Sequence, residues 1–370
     1  MDQLNVTEKA DDDGAGESRL TNGPRLKISV VMTTYNGAKY VSDQLKSMAA
    51  QTRPPDEIVI GDDRSSDATM AIVERFAEES GLTVKAQVNP TRLGTTRNFE
   101  RAISRCVGDI VVFSDQDDIW REDRLEKTEA VFLANPNAPY VFSNGSLIDA
   151  AGAPMEGSMW KCAGFVESER DAYGSGGGFD ILCRHNVVTG AALAVRRDAL
   201  RLTTPFETAF VHDHWIAMVL EGVAPGVLID EPLIAYRLHA AQQTGFGKVD
   251  LRTLLTELPA RGVAYYALEA EKARAVLARF EELGVGQAVS TQLKRRIAFS
   301  ERRARMRAEP WLALPWILNS WRAGDYRLYT LRLRLGKLAI PVGLPLDIAA
   351  TAGSICFGWL KTKRSSVAAG

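Results

Sequence analysis

Cysteine is scarce in this chain. The 370 residues hold four, Cys106, Cys162, Cys183 and Cys356, far apart and with no CxxC pair. That excludes a zinc ribbon and a disulfide framework and points to a reducing, cytoplasmic setting. Histidine is equally sparse, at four. Net charge is nearly absent: 45 basic and 46 acidic side chains leave −1, so no global field argues for nucleic acid. The first residues, MDQLNVTEKADDDGAGESRLTNGP, lack the apolar stretch of a secretory signal. Residues 1–25 read as a polar, disordered tail. There is no internal repeat or heptad array. Long apolar runs are missing with one exception. From Leu338 to Leu360 the chain reads LAIPVGLPLDIAATAGSICFGWL, with Asp347 its only charge, and KTKR follows. Its length suffices to cross a bilayer, but Pro341, Pro345 and Asp347 weaken a spanning helix. Two readings stay open: a basic, apolar segment making peripheral contact with the inner face of the membrane, or a tail helix packed on the domain or a partner chain.

What is present is the balance of a globular protein, 46% apolar and 25% charged. The first half alternates two periods. KISVVMTTY (Lys27 to Tyr35) is a β-branched strand. YVSDQLKSMAAQ places Val41, Leu45 and Met48 at helical spacing. DEIVIGDD is a second strand, and SSDATMAIVERFAEES a helix with Ser65 and Ser66 as caps. LTVKAQV, TRNFERAISRC and DIVVFSD continue as strand, helix and strand. The pattern predicts an α/β fold with a doubly wound, Rossmann-like, mostly parallel sheet. In such sheets ligands sit at the carboxyl ends of the strands. The polar residues there are Thr33, Thr34, Tyr35 and Asn36, then Asp62 and Asp63, then Asn89 and Arg92, then Asp115 to Asp118. Beyond Tyr140 the pattern loosens. VFSNGSLID predicts a strand and turn, AYGSGGGFD a flexible glycine-rich loop, VVTGAALAV a strand, HDHWIAMVLEG a helix and GVLIDEPLIAYRLH further strands. After Asp250 the composition turns helical and basic.

The ordered set SVVMTTYNGAKYVSDQL, IVIGDDRSSD, NPTRLGTTRNF, FSDQDDIW, VTGAALAV, HDHW and YRLHAAQQTG resembles a family 2 glycosyltransferase with the GT-A fold. The resemblance covers about residues 27–245 and is greatest to the rhamnosyltransferase-type branch; RAGDYRLY (Arg322 to Tyr329) is similar to a late segment of that branch. It implies a GT-A domain at 26–245; composition sets beside it the tail at 1–25 and a helical C-terminal region at 246–370 with the apolar segment 338–360. The acidic tail and that apolar run depart from the core motif set.

The resemblance implies a nucleotide-diphosphate sugar as donor, with dTDP-rhamnose suggested by the branch, and a glycan or lipid-linked acceptor in cell-surface glycan synthesis. Thr33 and Tyr35 would contact the base, with Asn36 beside them, and Asp63 would accept from a base N–H; helix capping is the alternative for Asp62 or Asp63. Asp115 and Asp117 match a DxD motif. Carboxylates alone repel a diphosphate, and Mg²⁺ or Mn²⁺ resolves that conflict. Asp117 is implied as the direct metal ligand and Asp115 as nearer the ribose or just behind the metal; a solvated acidic turn is the alternative, and Asp118 reads as a cap of the following helix. Asp213 is implied as the general base of a single inverting displacement, with an N-cap role as the alternative; a His212/His214 metal pair lacks a third ligand at usual spacing. His239 matches a position near metal and diphosphate, or serves structure. Arg92 and Arg237 are candidate diphosphate partners. Gly190 would let the backbone approach the sugar or acceptor, or serve a tight turn. Two other classes compete: a nucleotidyltransferase, weakly supported by Gly37 and Lys39, and a non-catalytic nucleotide-sugar-binding component of an assembly complex.

Overall fold

Every residue of Ile28–Thr34 is buried, as an apolar strand covered on both faces requires. In the computed structural model, which describes residues 25–240, 242, 262–310, 313–330 and parts of 332–351, this strand (β1) sits inside a nine-stranded sheet. Strands β2 (Glu57–Asp62), β3 (Val84–Val88) and β4 (Ile110–Ser114) alternate with helices α1 (Val41–Ala49), α2 (Thr69–Glu79) and α3 (Thr95–Ile103). The second half adds β5 (Ile119–Trp120), α4 (Arg124–Ala134), β6 (Tyr140–Ile148), β7 (Pro154–Ser158), α5 (Met159–Cys162), α6 (Glu167–Ala172), α7 (Gly178–Leu182), β8 (Leu193–Arg196), α8 (Arg197–Leu200), α9 (His212–Glu221) and β9 (Val227–Arg237).

The strand order is β3–β2–β1–β4–β8–β6–β9–β5, with β7 on β6. The first four strands are parallel, as the strand–helix alternation predicts. Strand β8 then runs antiparallel to both β4 and β6, and β9 pairs parallel with β6 and antiparallel with β5. The chain leaves β1 for β2 on one side and reaches β4 on the other, so the order switches at β1, and the crevice at such a switch is where ligands bind. Period-two alternation divides the core. Val31, Val59, Val111 and Phe113 face α3, α9 and the later helices, meeting Phe99, Trp215 and Phe280. Val30, Met32, Ile58, Ile60 and Val112 face the other way, meeting Leu45 and Met48 of α1, Val73 of α2 and Leu125 of α4.

Several local expectations are corrected. The glycine-rich AYGSGGGFD is not an open loop. It continues α6 through a wide turn, Tyr173–Gly177, into α7. Tyr173 is buried and its hydroxyl meets Tyr140 and Glu221, while Gly176 supplies the φ of 88° that a side chain would resist. Ser65 and Ser66 do not cap α2. Asp67 accepts from the Thr69 N–H at 3.0 Å instead, because Ser65 is already held by Asp62 and Ser66 by Asn36.

The C-terminal part is mainly helical: α10 (Val263–Leu283), α11 (Gln287–Ala308), α12 (Ala313–Arg322) and α13 (Asp325–Tyr329), followed by a hairpin of β10 (Arg332–Leu335) and β11 (Leu338–Pro341). Gly284, at φ 66°, ends α10 with a left-handed cap. Tyr266, Ala270, Ala273, Val276 and Phe280 form its buried stripe. The apolar run therefore begins as a strand. Its single charge, Asp347, is 2% exposed, accepts twice from Arg303 at 2.8 Å, and also binds Arg307 and the Tyr326 hydroxyl. Asp325 of the RAGDY segment is likewise buried between Arg295 and Arg302. No helix among the described residues is long and apolar enough to cross a membrane. Residues 1–24, and residues 352–360 of the run, lie outside the described residues.

Candidate active site

The ends of β1, β2 and β4, with the residues that follow β9, border a cavity of about 730 Å³. Its lining includes Thr33, Tyr35, Asn36, Asp63, Asp115 and Asp117, with His239 from the far side. Four stretches far apart in sequence thus meet where the parallel topology sends them.

The β1 and β2 ends are tied to one another. The Thr34 hydroxyl donates to Asp62 at 2.7 Å, and Asp62 also accepts the Ser65 N–H and hydroxyl. Asn36 adopts φ 48° and holds the loop after β2: its N–H donates to the Ser65 hydroxyl and its side-chain oxygen accepts from Ser66. Asp63 is 4% exposed. It accepts from the Leu93 N–H at 2.7 Å, the Gly94 N–H at 2.8 Å and the Asn89 amide at 3.1 Å. Its carboxylate fixes the loop after β3, leaving about one of four lone-pair positions for a ligand. Capping at Ser65 falls to Asp62. Above this floor, the exposed Arg92 guanidinium stacks 3.9 Å from the Tyr35 ring centroid.

The β4 end carries FSDQDDIW. Gln116, between two of the aspartates, accepts from the Tyr35 N–H at 2.9 Å and donates to the Tyr35 carbonyl at 3.2 Å. This two-bond clip joins the acidic loop to the β1 end. It also explains Gly37, where a Cβ would stand 2.2 Å from the Gln116 oxygen. Oxygens of Asp115, Asp117 and Asp118 lie within 4.8 Å of one another. The motif after β9 closes the cluster: His239 Nε2 is 2.7 Å from Asp117 Oδ2, and the Arg237 N–H donates to Asp118 at 2.9 Å. Asp118 is therefore not a helix cap. Helix α4 starts six residues later at Arg124, and Asp118 is wholly buried, with Oδ2 lacking any hydrogen-bond partner among the described residues. Arg237 is no free diphosphate partner either. It is 2% exposed, its Nε donates to the Asp117 carbonyl at 2.7 Å, and it packs over Tyr40 and reaches Asp43.

A second buried cation lies beside the cluster. Arg124, 2% exposed, stacks 3.8 Å from the Trp120 ring centroid and donates to the Phe113 carbonyl. It is too little for three carboxylates. Burial, then Asp117 and Asp213, push Asp115 up to about 7 despite Arg124. Burial and its acidic neighbours drive Asp118 well above the carboxylate range. Burial lowers Arg124 itself to about 9. A buried cluster with excess negative charge and an orphan oxygen, built from hard donors, fits a divalent cation.

Residues 29–153 match the sequence model of the family described as glycosyl transferase family 2. That stretch is a family 2 glycosyltransferase domain. An uncharacterized glycosyltransferase of Nostoc sp. is 34% identical over 109 residues, 29% of this chain and 33% of its own length. The poly(ribitol-phosphate) beta-N-acetylglucosaminyltransferase TarS of Staphylococcus aureus is 32% identical over 139 residues, 37% of this chain and 23% of its own. The chain thus spans about a third or less of these curated relatives. The crystal structure of an S. aureus TarS 1–349 fragment in complex with UDP-GlcNAc superposes with a TM-score of 0.51 at 18% identity, covering 82% of this chain and 78% of that one. That likeness shows the shared GT-A fold, including the part of the sheet beyond the matched glycosyltransferase domain.

Beyond residue 153, Asp213 sits in the first turn of α9 and Gly190 beside it. The Gly190 N–H, the Asn186 amide and the His214 N–H donate to the Asp213 carboxylate at 2.8, 2.9 and 2.5 Å. Burial still outweighs these donors and raises Asp213 to about 6. Neither Asp213 nor Gly190 lines the cavity bordered by the glycosyltransferase domain, but the Asp213 charge acts on Asp115. A side chain at 190 would meet His212 Nε2 at 2.5 Å. His212 is sandwiched between Phe99 and Phe113, its ring nitrogens unpartnered, and burial lowers it to about 3. His214 turns to the Leu182 carbonyl. The two histidines form no metal pair. Gln116, Arg124 and Asn186 escaped the sequence reading. Only Gln116 carried a signal, its place inside the acidic motif.

Proposed function

We propose that residues 26–245 form a catalytic domain that transfers a sugar from a nucleotide-diphosphate donor to a hydroxyl of a glycan or lipid-linked acceptor, with inversion at the anomeric carbon. The observation that carries this reading is the convergence of Tyr35, Asp63, Asp117 and His239 on one cavity of about 730 Å³, a volume in the range of small-molecule sites. Thr33, Tyr35, Asn36 and Asp63 would hold the nucleoside, with Arg92 closing over Tyr35 or reaching a phosphate. Asp115 would stand nearer the ribose.

Asp117 and His239 would hold Mg²⁺ or Mn²⁺, with Asp115 and Asp118 supplying negative charge around it. Such an ion would offset charge on the departing diphosphate. Asp213 would take the proton of the acceptor hydroxyl as its oxygen bonds to the anomeric carbon and the carbon–phosphate-oxygen bond breaks. A carboxylate raised to about 6 is ionised at neutral pH and more basic than an exposed one. Gly190 and Asn186 fix its orientation through their hydrogen bonds.

On the motif set, dTDP-rhamnose is the first donor to test, and the TarS likeness keeps UDP-GlcNAc in the same panel. The acceptor class would place the protein, as a peripheral component, at the cytoplasmic face of the membrane. The test is release of nucleotide diphosphate from a panel of nucleotide sugars with Mn²⁺ or Mg²⁺. Turnover that a chelator abolishes is the expected result. Absence of both turnover and nucleotide-diphosphate binding with every donor sinks the reading, and pyrophosphate release from a nucleoside triphosphate would favour a nucleotidyltransferase.

A further inference from the structure

Helix α12 divides its side chains into two sets. Ala313, Ile317 and Ser320 are buried, and Ala313 and Ile317 pack against Met306 of α11. Leu314, Leu318 and Trp321, spaced i, i+4 and i+7, are 64%, 42% and 58% exposed. That spacing puts all three on one face. An amphipathic surface helix turns its apolar stripe inward and leaves the opposite face polar. Here the outward face is apolar as well, and it carries the most exposed tryptophan among the described residues.

The charge on α12 itself has one sign, that of Arg322. Along 313–330 the exposed residues are Leu314, Pro315, Leu318, Asn319, Trp321, Arg322, Ala323 and Arg327. The acid of that stretch, Asp325, is buried against Arg295 and Arg302. Arg305 is exposed beside Met306 on the neighbouring helix, with Glu309 the exposed acid near the end of α11.

We propose that α12 is an interfacial docking helix, whose Leu314, Leu318 and Trp321 enter the headgroup–acyl boundary of an anionic lipid surface, with Arg322, four residues after Leu318 on the same face, against lipid phosphates. Tryptophan favours that boundary, and an apolar stripe edged by basic residues is what lies in it. A second copy of the chain is the poorer occupant: a stable interface needs about 800 Å² per partner with matched shapes, more than three side chains supply, whereas a lipid surface adapts to the face presented. The inference stands apart from the choice of sugar. It places membrane contact on a helix of the folded surface rather than on the run 338–360, whose described residues are the strand Leu338–Pro341 and helical residues in which Asp347 is buried and Ile348 exposed.

The test is co-sedimentation of the full chain with vesicles of phosphatidylcholine alone or with added phosphatidylglycerol. The wild-type chain should bind the phosphatidylglycerol vesicles, and less so as salt rises. Leu314→Ser, Leu318→Ser and Trp321→Ser together should weaken partition about tenfold or more, with an unchanged thermal melt because all three are exposed. Arg322→Glu, which keeps the apolar face, should weaken it about fivefold. Failure of the wild type to bind overturns the proposal. So does a triple variant that binds as the wild type does, which would move the contact elsewhere in the chain. A wild-type dimer that the triple variant converts to monomer, with no change on lipid, would assign the face to a second copy instead.

Discussion

Two acidic strand ends flank β1 in this molecule and behave in opposite ways. At the end of β2, Asp62 and Asp63 are buried, and their carboxylates accept six hydrogen bonds from Thr34, Ser65, Asn89, Leu93 and Gly94. At the end of β4, Asp118 has the Arg237 N–H and an orphan oxygen, and Asp115 is pushed up to about 7. The first pair is a clamp that shapes loops. The second holds charge for which the chain itself supplies too few partners. Both read as DD in the sequence. Donor accounting separates them, since a buried carboxylate is stable when its lone pairs are filled and costly when they are not.

Asp213 stands between these cases, with three donors and still a raised affinity for its proton. The largest expected effect follows: Asp213→Asn should lower transfer by about 10²–10⁴-fold while donor binding, followed by titration calorimetry, stays near wild type. Normal transfer by this variant would remove it from the reaction. The contrast between the two clusters comes next. Asp63→Ala strands the Leu93 and Gly94 N–H groups and should cost about 2–4 kcal/mol in denaturant melts. Asp118→Asn, made in metal-free protein, should change stability by less than about 1 kcal/mol, because burial already favours the neutral carboxyl there and an amide has nearly its shape, yet should abolish the gain in melting temperature that added Mn²⁺ gives the wild type. Equal losses from the two substitutions would erase the distinction.

Gly37→Ala should cost about 1–3 kcal/mol through collision with Gln116, and Gln116→Ala in the same chain should recover part of it; additive losses would refute the clip. A further effect is in pH. Asp115 and Asp213, raised from 3.8 to about 7 and about 6, keep protons in the folded chain that the unfolded chain has released. Stability contributed by these groups therefore falls as pH rises from the ordinary carboxylate value through the raised ones, and is flat above. Chelated protein should melt higher at about pH 5 than at about pH 8, and Asp213→Asn should shallow that slope.

Much of this was legible in the chain. The parallel half of the sheet follows from alternating periods, and the strand-end rule gathers Thr33, Tyr35, Asp63 and Asp117 from sequence alone. What stayed hidden depends on contacts between distant residues. Gln116 reaches Tyr35 across 81 positions and Arg237 reaches Asp118 across 119, and no local pattern encodes either. AYGSGGGFD reads as a loop because its helix rests on the buried Tyr173 and Phe179, a tertiary effect that overrides glycine's low propensity. Asp118 reads as a cap because helix starts are judged by neighbours in sequence, whereas its partner arrives on another strand.

That partner has a consequence in time. Asp117 and Asp118 are completed by His239 and Arg237, 122 and 119 residues downstream, at and just beyond the end of the strand that joins the sheet last in chain order. Until β9 docks, the acidic loop lacks its histidine and its backbone donor. During synthesis the acidic loop therefore emerges first and waits for its other half, and closing so long a loop is slow. A fragment ending near residue 153, which carries the whole matched domain, would hold the acidic loop without the contacts that complete it.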